Sequence, residues 1–172
     1  WEFMESKGLK NKFTTICPGG VFGDALDKKG GTSIEYVRQF MAGKFPGAPK
    51  FAVLISDVKD IAKAHVACIG NENVGGRRLI VGKEVKKLVE LSQLMAEAMP
   101  EFKKKLPKKE LPNFMVKLIS YLDSSAKTMI PDLGLMMQTD VSYAEELLGF
   151  KFKPAKDCIS ENAKSVVRLG LV

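Results

Sequence analysis

Phe51-Ala52-Val53-Leu54-Ile55 is a continuous apolar run that passes, through only Ser56 and Asp57, into a stretch with helical spacing. A strand without polar alternation needs apolar cover on both faces, which is the environment of a parallel sheet flanked by helices. In the stretch that follows, Val58, Ile61, Ala62, His65, Cys68 and Ile69 fall on one face at 3.6-residue spacing. Ser56 or Asp57 can cap its start, and Asp57 and Asp60 complement the helix dipole. Gly75-Gly76 then turns the chain, and Arg78 to Val81 reads as another strand. A strand, an amphipathic helix and a second strand within this length make the repeating unit of a parallel α/β sheet.

The rest of the chain is consistent with that unit. Residues 1–7 read as helix ending near Gly8, and 13–17 (Phe-Thr-Thr-Ile-Cys) as a short β-branched strand running into Pro18-Gly19-Gly20. Ile34, Val37 and Met41 predict a helix over 33–42, stopped by Gly43. Glu84 to Met99 is predicted as a longer helix with Val85, Leu88, Val89 and Met95 inward. The Lys/Pro-rich stretch 100–112 is an exposed connection. Phe114 to Met129 is apolar enough for a helix on the core or a flap over a ligand. A short helix is expected over 140–148, an extended piece over 150–153, and a terminal helix lined by Ile159, Ala163, Val166 and Val167. With 172 residues, 45% of them hydrophobic, the chain can bury one core, or one core and a small lobe. Trp1 to Glu5 reads as the last turns of a helix, so the expectation is the C-terminal part of a longer α/β enzyme.

The formal net charge of +7 raises an anionic partner. Lys103-Lys104-Lys105 and Lys108-Lys109 sit in the Pro-broken connection, and Lys83, Lys86 and Lys87 decorate one predicted helix, at and just before its start. No aromatic residues interleave with them as a base-stacking platform requires, so a solvated face is expected and no nucleic-acid partner. No apolar run approaches the roughly 20 residues of a membrane span, and no membrane partner is expected. Cys17, Cys68 and Cys158 are scattered, without a Cys-x-x-Cys pair, and one histidine cannot complete a zinc site. They read as small buried thiols of a cytoplasmic protein, and no metal is expected.

A complete active site is absent from the sequence. His65, the single histidine, lies on the apolar helix face and reads as a packed or hydrogen-bonded core residue. Asp57 and Asp60 read as helix-capping carboxylates. Gly19-Gly20-x-x-Gly23 does not extend to a dinucleotide fingerprint, because residue 26 is Leu, and no Walker motif occurs. Gly75-Gly76-Arg77-Arg78 joins helix to strand, the wrong order for a phosphate site at a helix N-terminus, and reads as a solvated turn.

Four motifs occur in order: Cys17-Pro18-Gly19-Gly20-Val21-Phe22-Gly23, Ser56-Asp57-Val58-Lys59-Asp60-Ile61-Ala62-Lys63-Ala64-His65, Gly76-Arg77-Arg78, and Asp140-x-Ser142-x-Ala144-x-x-Leu147-Leu148-Gly149-Phe150. Together they resemble the C-terminal half of an extended short-chain dehydrogenase/reductase, in the epimerase/dehydratase superfamily, and within it the dihydroflavonol reductase and aldehyde/ketone reductase branch. The resemblance covers nearly the whole chain. It implies the C-terminal part of a Rossmann-type doubly wound parallel sheet with a small helical substrate-binding lobe. Residues 1–31 and 51–82 would be the last strands and helices of the nucleotide-binding sheet, and 32–50 and 83–172 mainly the substrate lobe.

The resemblance further implies an NAD(P)H-dependent oxidoreductase that reduces an aldehyde, ketone or dihydroflavonol-like carbonyl, with NADP favoured over NAD. The family's catalytic Tyr-x-x-x-Lys is absent, since Tyr36, Tyr121 and Tyr143 are followed four residues on by Phe40, Ser125 and Leu147. That motif, the catalytic Ser/Thr and the glycine-rich loop are expected upstream of Trp1, and this chain alone is expected to be inactive. Pro18, Gly19, Gly20 and Val21 would lie beside the nicotinamide, where small residues allow close approach of the main chain. Phe22, Met41 and Leu54 would contact substrate in an apolar pocket. The family usually has Gly-Pro where this chain has Gly23-Asp24, a departure at the pocket entrance. A nucleotide-sugar epimerase or dehydratase of the same superfamily, and a non-catalytic basic interaction module, are the alternatives. The resemblance also allows a homodimer of the intact enzyme.

Overall fold

The structure is a computed structural model that describes residues 1–29, 31–121, 127 and 130–172. Strands β1 (Thr15–Pro18) and β5 (Arg78–Val81) form a parallel pair. Strands β2 (Gly20–Phe22), β4 (Ala52–Asp57) and β6 (Glu84–Lys87) form a three-stranded sheet with β4 in the centre, parallel to β2 and antiparallel to β6. Short strands β3 (Ala48–Pro49) and β7 (Glu110–Leu111) form a third, parallel pair. Among the described residues the α-helices with stated bounds are α1 (Glu2–Ser6), α2 (Thr32–Met41), α3 (Val58–Cys68), α4 (Leu88–Ala98), α5 (Asn113–Ile119), α6 (Ser142–Leu148) and α7 (Ala155–Arg168). The expected α/β class with mainly parallel pairing is borne out.

Two apolar clusters hold these layers. One lies around β5, where Leu79 and Val81 meet Ala64 of α3, Ala144 and Leu148 of α6, and Phe152. The other joins Phe22 and Ile55 to α2, α4 and α7 through Phe40, Met41, Leu91, Met95, Ile159 and Val166. Ile159, Ala163 and Val166 are fully buried, as the periodicity of the last helix predicts.

Two elements differ from the sequence expectation. Residues 84–87 are strand, not the first turn of a helix. Val85 pairs with Leu54 and Lys86 with Val53, so the free edge of β4 claims this segment. The helix starts at Leu88, where the Glu90 carboxylate accepts from Lys87 N at 2.6 Å. Lys83, Lys86 and Lys87 are therefore on and beside a strand, each ion-paired, with Glu145, Glu84 and Glu110. The second difference is the rotation of α3. Its inward residues are Asp60 and Ala64, while Val58, His65 and Ile69 face outward. His65 is exposed, with Nδ1 2.8 Å from Ile61 O, and is not a core residue. The cause is electrostatic anchoring. Asp60 Oδ2 accepts from Lys153 N at 2.6 Å, which pulls that carboxylate inward.

The remaining expectations are met in part. Helix α5 realises the start of the predicted 114–129 helix, and 122–126 and 128–129 lie outside the described residues. Residues 150–153 carry no described strand, although Phe152 is buried and meets Phe150 edge-on at 5.5 Å. Cys158 is buried, Cys17 and Cys68 are half-buried, and all three are free. Among the described residues no helix is long and apolar enough to cross a membrane.

Glu145 ties α6 to its surroundings. Its buried carboxylate accepts from Lys83 Nζ at 2.6 Å, Lys151 Nζ at 2.8 Å and Phe152 N at 3.0 Å. Burial works against its ionisation, but these donors outweigh it and hold the pKa at about 2. The folded value lies below the ordinary one, so this contribution to stability is complete above a pH of about 4.5 and is lost as pH falls toward about 2. Glu145→Gln should lower the unfolding free energy near neutral pH by about 2–3 kcal/mol and flatten the acid dependence in that window. Urea titrations at several pH values measure both.

Candidate functional site

The chain crosses from one sheet to another at two neighbouring points. β1 pairs with β5, yet after Gly19 the same run pairs with β4 as β2. β5 likewise gives way, through Gly82-Lys83, to β6 on the other edge of β4. Ser56 of β4 pins both crossings. Its buried hydroxyl accepts from Gly19 N at 2.9 Å and donates to Val81 O at 2.6 Å. The backbones approach so closely here that a Cβ at Gly19 would overlap the Leu54 carbonyl oxygen, and one at Gly82 would come within 2.7 Å of Leu54 Cγ. Ser56 therefore does not cap α3. Asp57 does, accepting from Lys59 N at 2.9 Å and Asp60 N at 3.3 Å.

Beyond the first crossing, β2 and the loop after it form one wall of a cavity of about 730 Å³. Helix α2 contributes Tyr36 and Phe40, β4 and its approach contribute Phe51 and Val53, and α4 contributes Leu88, Leu91 and Met95. The volume lies within the range of small-molecule sites, and the lining is mostly apolar, with Asp24, Asp27 and Lys29 toward the loop.

Helix α7 holds the loop in place. Asn162 Nδ2 donates to Gly23 O at 2.5 Å, Ala25 N donates to Ser165 Oγ at 3.0 Å, and Arg168 meets Asp24 at 2.8 Å. Asp24, at the position where the resemblance implies Pro, is thus an ionic latch. Below it, Lys153 Nζ lies 3.0 Å from Asp57 and 2.9 Å from Glu161. Partial burial disfavours the Lys153 charge, but the two carboxylates raise its pKa above the ordinary value. Burial, reinforced by the negative charge of Asp57, pushes the Cys158 thiol up, away from nucleophile behaviour.

Of the residues singled out from sequence, Gly19, Gly20, Val21 and Phe22 are brought together on the cavity wall, and Val21 is 36% exposed there. Pro18, Met41 and Leu54 are not among the lining residues. Pro18 is the last residue of β1. Met41 is fully buried in the core, and Leu54 is buried against Gly19 and Gly82. The Gly19 N–H is already engaged by Ser56, so the smallness of this residue serves the strand crossing. Phe40, Phe51, Leu91 and Met95 escaped sequence reasoning as cavity residues. Their helical and strand periodicities are those of core positions, and no polar signal marks them.

No protein-family model matches the chain. It is 27% identical, over 98% of its length, to the NADPH-dependent methylglyoxal reductase of Saccharomyces cerevisiae, of which it covers 47%. The crystal structure of yeast methylglyoxal/isovaleraldehyde reductase complexed with NADPH matches with a TM-score of 0.70 at 26% identity, over 99% of this chain and 52% of that one. These relatives are NADPH-dependent reductases. The resemblance read from the ordered motifs is borne out. Vestitone reductase from alfalfa shares the fold, with a TM-score of 0.67 at 20% identity over 98% of this chain and 48% of that one. The chain spans about half the length of the curated relatives it matches.

Gly19→Ala should cost about 1–3 kcal/mol by forcing β2 away from β4. Thermal or urea unfolding measures this, and an unchanged midpoint would show that the close approach to Leu54 is not required.

Proposed function

We propose that this chain forms the substrate-side part of an NADPH-dependent reductase that converts a small apolar aldehyde or ketone to the alcohol. The observation that carries the reading is the apolar cavity beside the Gly19–Val21 strand turn, in a chain whose motifs and fold match those reductases. The cavity fits a nicotinamide ring together with a small carbonyl compound in volume and polarity. NADPH, when bound, supplies the hydride. Gly20 and Val21 form a flat backbone wall against the ring, and Phe22, Phe40, Phe51 and Met95 surround the substrate and exclude water. Pro18 and Gly19 fix the bend that presents this wall, while Met41 and Leu54 support it from the core. Residues 1–31 and 51–82 complete the nucleotide-binding sheet, and 32–50 and 83–172 form the substrate lobe. The Tyr-x-x-x-Lys pair that protonates the carbonyl oxygen comes from a segment preceding Trp1.

Two outcomes follow. The 172-residue chain alone should show no aldehyde-dependent NADPH oxidation, whereas the protein encoded with the preceding reading frame should show it. Absence of turnover in a longer protein that carries Tyr-x-x-x-Lys, across a panel of aldehydes and ketones, would sink the reading. In that longer protein Phe51→Ala should raise KM for an apolar aldehyde roughly tenfold, with a smaller effect on kcat, because it removes binding area common to ground and transition states.

A further inference from the structure

Helix α5 is amphipathic in the reverse sense. Val116 is buried, while Phe114, Leu118 and Tyr121 are 69%, 67% and 87% exposed. Phe114, Lys117 and Leu118 occupy positions i, i+3 and i+4 of α5, and Tyr121 follows in the turn just after the helix; all four are turned to solvent. Large apolar side chains this exposed protrude from the surface instead of lining a groove.

The same corner is basic. Lys108 and Lys109 precede β7, whose pairing with β3 is extended by Ala48 N donating to Lys109 O at 2.9 Å. Lys50 directly follows β3, and its carbonyl accepts from Gly134 N at 2.7 Å. Gly134 lies in turn beside Asn113, the first residue of α5. The lysines at 50, 108, 109 and 117 are exposed, and among the described residues none forms an ion pair. In contrast, Lys83, Lys86 and Lys87 are neutralised by glutamates.

We infer that this corner is a docking surface for an anionic lipid bilayer, which receives the α5 side chains between its headgroups while the flanking lysines meet the lipid phosphates and carboxylates. Exposed apolar groups close in the fold to lysines that form no ion pair among the described residues suit a fluid, negatively charged interface. No described helix can span a bilayer, so the contact is with its surface. The inference is independent of the reductase reading, since it uses none of the cavity residues.

Co-sedimentation of the protein encoded with the preceding reading frame, with mixed phosphatidylcholine–phosphatidylserine vesicles and with pure phosphatidylcholine vesicles, tests it. Binding should be at least about tenfold stronger to the mixed vesicles and weaken with added salt, since each lysine near such a surface contributes roughly fivefold. Lys108→Ala/Lys109→Ala and, separately, Phe114→Ser/Leu118→Ser should each reduce it by about tenfold or more. These positions are exposed, and an unchanged circular dichroism spectrum and melting midpoint verify folding in each variant. Equal or absent binding to the two vesicle types overturns the proposal. So does loss of binding with the lysine pair alone while Phe114→Ser/Leu118→Ser has no effect, which marks a general polyanion surface. Concentration-dependent dimerisation abolished by Phe114→Ser/Leu118→Ser, without vesicle binding, assigns the stripe to a second copy of the chain and also overturns it.

Discussion

The Ser56 hydroxyl is the point on which the site depends. It stands next to the last residue of β4 and bonds at once to the N–H of Gly19 and the C=O of Val81. Those are the two places where a neighbouring strand leaves one sheet and joins another. Backbone groups at such a crossing lose their ladder partners, and a buried unpaired group costs about 1–3 kcal/mol. One hydroxyl that both accepts and donates serves both crossings. The bend it stabilises turns β2 out of line with β1, and that turn opens the cavity wall.

A second constraint is electrostatic. Asp57, Asp60, Lys153 and Glu161 form a partly buried network where β4, α3 and α7 meet. Every member has a partner of opposite charge or a backbone donor, the condition under which burying charge is tolerated. Its position next to the pocket loop gives that loop a rigid base. Asp24 extends the same logic outward through Arg168 and, at 3.9 Å, Lys59. At the position where the resemblance implies proline, this chain has an ion pair.

Much of this was legible in the sequence where a local period and a turn agreed. The 51–55 run, the strand at 78–81 and the terminal helix all followed from apolar spacing, because burial there is decided within the segment. What failed was decided elsewhere. Residues 84–87 resemble a helix start, but the unpaired edge of β4 outweighs a weak propensity. The face of α3 was misjudged by part of a turn because Asp60, a charged residue, points inward toward a partner 93 positions away. Of the candidate site, the Gly19–Phe22 wall was found, because a Pro/Gly turn after a strand is a backbone signal. The aromatic and aliphatic lining was not, since periodicity does not distinguish a side chain that faces a cavity from one that faces another side chain.

The clasp between α7 and the loop at 23–25 joins groups about 140 positions apart in the chain. Such separations make for slow closure, because the entropy of a long loop must be lost before the contact forms. Helix α7 leaves the ribosome about 140 residues after the loop that it clasps. Over that span the apolar wall behind the loop is without its α7 cover, a surface open to wrong contacts until the helix arrives.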